Sequence, residues 1–249
     1  MRQKDLIAKT LKLNIKDFDT HGMEDTHVNL YWRHVFPVNQ HREGWPYFLI
    51  MPFVLVESVL PTGKKINENC LFALPTGNNG HTGLGLTAGL NIDFVETIEI
   101  GVMAGMTKYN SRRYHAMPVP VQEFQVGMLP YKADLTREPG MNWNFGALMH
   151  ARHFLYQLSF WAQYMVVSHS KDKFCNVTVL PLTAADTNPP VALTNKMSEE
   201  SLWHSHVFNV GATYDISPNI ALGFFWQAPV SRRNAYRSTT VMGSLIVNW

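Results

Sequence analysis

Charge is scarce in this chain. Asp, Glu, Lys and Arg make up 16% of its 249 residues, against about 25% in an average soluble domain. Cysteine is nearly absent. The two present, Cys70 and Cys175, stand far apart and outside any CxxC or Cys/His spacing, which argues against a metal centre built on them. No metal and no cofactor are expected. Long apolar runs are missing as well. The longest, Tyr47 to Val56, is interrupted by Pro52 and covers about half of the roughly 20 residues that a spanning helix needs. No transmembrane helix is expected. The start, Met1-Arg2-Gln3-Lys4-Asp5, lacks the apolar stretch of a secretory leader, so an exported protein with this sequence would be a mature form or a fragment. Basic residues, 21 against 19 acidic, are dispersed without interleaved aromatics, which speaks against nucleic acid as a partner.

What is present is a two-residue period. From Phe208 to Ile216 apolar Phe208, Val210, Ala212, Tyr214 and Ile216 alternate with Asn209, Gly211, Thr213 and Asp215, the signature of a strand. After the turn signal Ser217-Pro218-Asn219 the alternation resumes with Ile220, Leu222, Phe224 and Trp226, which makes a hairpin. A last strand carries Val241, Leu245, Val247 and Trp249. The cleanest alternation runs from Gly83 to Phe94 and again from Ile98 to Thr107, around a turn at Val95-Glu96. Further strands are predicted over Thr26–Val38, Tyr47–Leu60, Val121–Tyr131 and Asn142–Tyr164, the last broken by a turn near Arg152 to Phe154. Loops are predicted over Tyr109–Pro120, Lys132–Gly140 and Ser168–Ser201. Residues 1–25 are hard to read, although Leu11, Leu13 and Ile15 alternate with polar neighbours as a first strand would.

One face of these strands is large and apolar; the other is glycine, small or polar. A barrel wall facing lipid outside and a lumen inside produces both, and a mean hydropathy of -0.12 suits a chain in which every second residue is polar. The expected fold is therefore all-β, a single antiparallel transmembrane β-barrel over residues 1–249. The alternating last strand that ends on Trp249 resembles the C-terminal strand of bacterial outer-membrane proteins, which in those proteins is the signal for barrel assembly. The strings Leu60-Pro61-Thr62-Gly63 and Leu74-Pro75-Thr76-Gly77, each before a polar or glycine-rich stretch, resemble the outer-membrane transporter family associated with meta-pathway phenol degradation. That likeness covers residues 26–109. It implies a barrel and passage of small organic solutes, and carries over no catalytic residue.

Short turns belong at the periplasmic rim and long loops outside. Placing the turns at Val95-Glu96, near His153 and at Ser217–Asn219 on one rim requires an even number of crossings within Tyr109–Gly140. That favours about twelve strands, with ten as the alternative.

Lumen-facing candidates are Asn91, Glu99, His150, Arg152, Gln157 and Gln163; a polar pore and a filled interior account for them equally. Arg112, Arg113, Arg232, Arg233 and Arg237 in the outer loops are candidate contacts for lipopolysaccharide phosphates, since guanidinium suits bidentate phosphate pairing. Cys70 and Cys175 fall on one rim and form a candidate disulfide. His204-Ser205-His206 invites comparison with an outer-membrane lipid hydrolase, but adjacent residues in a strand point to opposite faces, so no enzyme is expected. The function expected is passive passage of small solutes through an outer-membrane barrel. The alternative is a barrel-anchored surface protein whose loops bind a partner or build an array. Partners on either reading are outer-membrane lipids, lipopolysaccharide, the barrel assembly machinery and further copies of the chain.

Overall fold

The computed structural model describes residues 22–40, 46–65, 77–94, 97–125, 129, 131–181, 188–235 and 239–247. In chain order the strands are β1 (Thr26–Arg33), β2 (Phe36–Gln40), β3 (Pro46–Leu60), β4 (Gly83–Phe94), β5 (Ile98–Tyr109), β6 (Arg112–Val119) and β7 (Tyr131–Glu138). They continue with β8 (Asn142–Leu155), β9 (Leu158–His169), β10 (Lys173–Val179), helix α1 (Thr194–Ser201), β11 (Trp203–Ser217), β12 (Ile220–Arg233) and β13 (Thr240–Val247). The protein is all-β, and every ladder is antiparallel.

The large sheet runs β1-β3-β4-β5-β8-β9-β11-β12-β13, with β2 on the same edge of β3 as β1. Pro52 explains why that edge position is split. It lies in β3 opposite the gap between β1 and β2, where its missing N–H can leave the ladder while its carbonyl accepts from His34 N at 3.1 Å. Among the described residues no pairing joins β1 to β13, and no closed barrel is formed.

Register places each sequence alternation on one face. Ala88 pairs with Ala104, Leu90 with Val102, Val102 with Ala147 and Ala147 with Tyr164, so one side of the sheet is apolar from strand to strand. It is also open: Leu30, Leu84, Val102, Phe145, Phe224 and Leu245 are each more than half, or half, exposed. The opposite side carries Gly85, Thr87, Asn91, Asp93, Glu99, Gly101, Asn144, Gln163, Asn209 and Gly211.

The hairpins at Phe94/Ile98, Leu155/Leu158 and Ser217/Ile220 all turn at the same end. The connections from β3 to β4, β5 to β8, β9 to β11 and β12 to β13 gather at the other. There β6, β7 and β10 form a separate three-stranded sheet, which with α1 encloses a small core of Tyr114, Val119, Ala133, Leu135, Ala192 and Met197. We call this unit the cap. It corrects several sequence readings. Tyr109–Pro120, read as a loop, holds β6, whose period is interrupted by a bulge at Ala116, a residue with φ of 55°. Val121–Tyr131, read as a strand, contains none in its described residues before Tyr131. Lys132–Gly140 and Ser168–Ser201, read as loops, hold β7, β10 and α1. In β7 the period is real but short, since only Ala133 and Leu135 are buried, between Lys132, Asp134 and Thr136. The turn placed near Arg152 to Phe154 is a bulge, and the chain reverses at Tyr156-Gln157.

The crossing between β5 and β8 also resolves differently. No strand of the large sheet lies between them, because β5 pairs directly with β8, and this alone puts the three short turns at one end.

The two PTG strings meet at one side chain. Gly63 N donates to Asp25 Oδ1 at 2.8 Å, and Asn78 N to Asp25 Oδ2 at 2.5 Å. A Cβ on Gly77 would stand 2.6 Å from the same carboxylate, so glycine is what lets this second turn close on buried Asp25. Leu74, Pro75 and Thr76 of that string lie outside the described residues.

Candidate functional site

The polar face of the large sheet concentrates its charge near the short turns. Asp93 and Glu99 stand opposite each other across the β4–β5 hairpin, and Glu99 is paired in register with His150 of β8. Two carboxylates in direct cross-strand pairing repel. Arg152 bridges them: Nη1 lies 2.9 Å from Asp93 Oδ2 and Nη2 2.5 Å from Glu99 Oε2. Asn91 Nδ2 donates to the second Glu99 oxygen, Oε1, at 2.7 Å. Arg152 is held in turn by its backbone N–H on Thr97 O at 2.8 Å. Both carboxylates are buried, Asp93 at 4% and Glu99 at 9% exposure. The cluster of two acids and one guanidinium keeps one formal negative charge on this face.

A belt of amides crosses the face one step further from the turns. Asn91, Gln163 and Asn209 belong to it, and Asn209 Nδ2 donates to Gln163 Oε1 at 3.1 Å. Asn209 Oδ1 and, two levels higher, Asn144 Oδ1 are buried without a protein partner. An orphaned acceptor costs about 1–3 kcal/mol, a penalty that a hydrated interior would remove.

Large side chains occupy part of this face by lying across glycines of the next strand. Trp161 covers Gly211, Met103 covers Gly146 and Phe53 covers Gly89. Trp161 also stacks with Phe225 at 5.8 Å between ring centroids. A cavity of about 80 Å³ remains between Phe53, Asn91, Met103, Leu148 and Gln163.

Of the lumen-facing candidates, Asn91, Glu99, His150, Arg152 and Gln163 share this face. Gln157 does not, because it lies exposed in the β8–β9 turn, where its carbonyl accepts from Asp215 N at 2.9 Å. Sequence reasoning overlooked Asp93 as a partner of Arg152. Thr97 also belongs to the turn, so that Phe94 pairs with Ile98 and Asp93 with Glu99; counting outward from Val95-Glu96 alone would have set Asp93 against Ile98.

At the capped end a second network centres on Asp172, which is fully buried. Its Oδ2 accepts from Arg137 Nε at 2.7 Å and Nη2 at 2.6 Å, and its Oδ1 from Gly140 N at 2.7 Å and His169 Nε2 at 2.8 Å. Its backbone N–H donates to Ser201 Oγ at 2.8 Å, and its carbonyl accepts from Ser198 Oγ at 2.6 Å. Burial alone would raise this carboxyl, but the bonds from His169 and Gly140 and the charge of Arg137 outweigh it, so its pKa lies below the ordinary value. Gly140 is required here, since a Cβ would stand 1.9 Å from Ser170 O. This one residue, by its side chain to β7 and β9 and by its backbone to α1, ties the cap to the rim of the large sheet.

The His204-Ser205-His206 group is divided between the two faces of β11. His204 and His206 share a face with ring centroids 5.8 Å apart, and His206 Nδ1 is 2.6 Å from Tyr164 Oη. Ser205 faces the other way. His169 has both ring nitrogens engaged, Nε2 by Asp172 and Nδ1 by Asn142 at 2.5 Å, while Ser201 Oγ donates to Ser198 O at 2.7 Å.

The candidate phosphate contacts differ among themselves. Arg112 donates to Asn79 O and lies 5.2 Å over the Tyr114 ring, so the cap itself occupies it. Arg232 donates to Ala235 O at 3.0 Å. Arg113 and Arg233 are exposed. Cys175 is half-buried in β10 opposite Thr136, whereas Cys70, Arg237 and Trp249 lie outside the described residues. No family model and no curated protein matches this chain.

Proposed function

We propose that this chain is a bacterial outer-membrane β-barrel that lets small solutes pass without a cofactor. The observation that carries the reading is the two-sidedness of the large sheet. Its apolar face is exposed across nine neighbouring strand positions, far beyond the few hundred Å² of apolar patch usual on a soluble monomer, and lipid is the solvent that such a face suits. The other face supports a polar lumen through its glycines, amides and the Asp93–Arg152–Glu99 cluster. On this reading the short turns are periplasmic and the cap extracellular.

Closure supports ten strands over twelve. β1 and β13 stand at the first and ninth positions of an antiparallel series, so they run the same way and cannot pair antiparallel with each other. One strand between them, running oppositely, would complete the ring. Residues 1–21 lie outside the described structure, but Leu11, Leu13 and Ile15 have the alternation that such a strand needs.

Planar-bilayer recording of the purified chain tests passage. Stepwise conductance is the expected result; a protein that inserts into bilayers and passes no current would favour the surface-anchor reading. The cap favours that second reading, because a folded unit with its own core, built on the long loops, is suited to presenting a binding surface. Lipid, lipopolysaccharide at Arg113 and Arg233, the assembly machinery and further copies of the chain are the partners that both readings share.

A further inference from the structure

A cavity of about 440 Å³ lies where the cap meets the top of the polar face, within the range of small-molecule sites. From the geometry we propose that it binds a neutral polyhydroxylated ligand, a sugar of one or two rings. The site needs the cap and the strand ends and not an open lumen, so it goes beyond the channel reading.

Two aromatic residues at the ends of strands, Tyr109 and Trp203, line the cavity. Trp203 lies nearly parallel to His169, at 14° and 6.0 Å between centroids, which sets the plane of its indole. Asn78 and Asn142 line it as well, together with Glu200 of α1 and Arg137 of β7. The amide of Asn142 spends one end on His169 and keeps the other. Glu200 is largely exposed, with its nearest cation, Lys196 Nζ, 3.9 Å away, so its carboxylate retains acceptor capacity.

Charge narrows the ligand class. Arg137 is already paired through two nitrogens with buried Asp172, and burial holds His81 below the usual histidine value, which keeps its ring neutral near pH 7. Among the lining residues an anion would therefore meet Glu200 without a free counter-charge. A cation would find only the solvated Glu200. A wholly apolar molecule would strip water from the amides without replacing its hydrogen bonds. A pyranose avoids all three penalties: its C–H face packs on an aromatic ring while its hydroxyls pair with amide and carboxylate. The Asp172 network holds Asn142, His169 and Arg137 in place beforehand, which lowers the ordering cost of binding.

Isothermal titration of the full chain in an amine-oxide detergent, with maltose, glucose, benzoate and choline as probes, tests the site; a maltoside detergent would itself present the ligand. Maltose is expected to bind, with Trp203→Ala and Glu200→Gln each weakening it by about tenfold or more and Phe124→Ala, on an exposed cap residue, leaving it unchanged. Should Trp203→Ala fail to fold, Glu200→Gln decides, since its side chain is solvated and changes only in charge. Absence of heat with both sugars, sugar binding untouched by these changes, or tighter binding of benzoate or choline would overturn the proposal. None of these outcomes bears on conductance, so the channel reading stands or falls separately.

Discussion

At the scale of single residues, two networks hold this protein's ends, and each makes a prediction. Arg152 offsets two buried carboxylates that would otherwise face each other across a hairpin. Arg152→Met should therefore cost about 2–4 kcal/mol, less than a fully buried pair because the guanidinium is a third exposed. Adding Glu99→Gln to that variant should recover part of the loss, and urea unfolding of the three proteins in detergent measures both steps. Without recovery, the repulsion would not be what Arg152 relieves. Asp172 yields a pH dependence. Its folded pKa lies below its unfolded one, so its contribution is complete above the unfolded value of about 3.9 and disappears as pH falls through the lower folded value. Thermal melts from about pH 7 down to about pH 2 should show cap stability falling only below about pH 4 on account of this residue. Asp172→Asn should lie lower throughout and lose that acid limb. An unchanged limb would assign the acid sensitivity elsewhere.

At the scale of elements, the two faces of each strand carry different tests. Leu86 and Leu222 are nearly half exposed on the apolar face, and Arg at either should cost about 2–4 kcal/mol if that face meets the bilayer midplane. Arg at Thr87, on the polar face, should cost less, unless crowding against Gly105 and Asn144 leaves it no room. Refolding yields into lipid vesicles compare the three variants, and equal tolerance of Arg on both faces would remove the membrane assignment. The same two-residue period decides how legible the elements are from sequence. It is strong where every second residue is bulky, as in β4, β5, β11 and β12: β4 and β5 stand in the structure within a residue or two of their sequence positions, and the β11–β12 turn falls where Ser217-Pro218-Asn219 placed it, although β11 starts earlier, at Trp203, and β12 runs on to Arg233. It fades in the cap. There β6 and β10 are each interrupted by a bulge, at Ala116 and Asn176, and β7 buries only two residues, Ala133 and Leu135. The candidate site follows the same division. Glu99, Asn91 and Gln163 could be placed on a face by counting along strands, whereas Asp172 sits in a connection, and its role depends on β7, β9 and α1 meeting in space.

For the whole molecule, direction is the decisive property. Antiparallel neighbours alternate in direction, so the first and ninth positions of the large sheet run alike. Both faces of both edge strands are open: every residue of β1 is exposed, and so are seven of the eight in β13. On β13 this includes Met242 and Ile246, which share the polar face, as well as Val241 and Leu245 on the apolar one. Unpaired edges of this length invite pairing, and in lipid an open edge leaves backbone groups unsatisfied at several kcal/mol each. A segment that satisfied both edges would have to start at the short-turn end, run to the capped end and continue into β1. The residues before β1 are positioned in the chain to do so, and their alternation at Leu11, Leu13 and Ile15 suits one face toward lipid. Deleting residues 1–21 should then abolish the compact, heat-modifiable form on gels and the conductance together, while the cap, whose described core is drawn from residues between Tyr114 and Met197, should keep its protease resistance. If the shortened chain still inserts and migrates as the full one does, the edges close on each other or on a second copy. Cross-linking at Val247 would then separate those two routes, because contact within one chain gives a monomer and contact between copies a dimer.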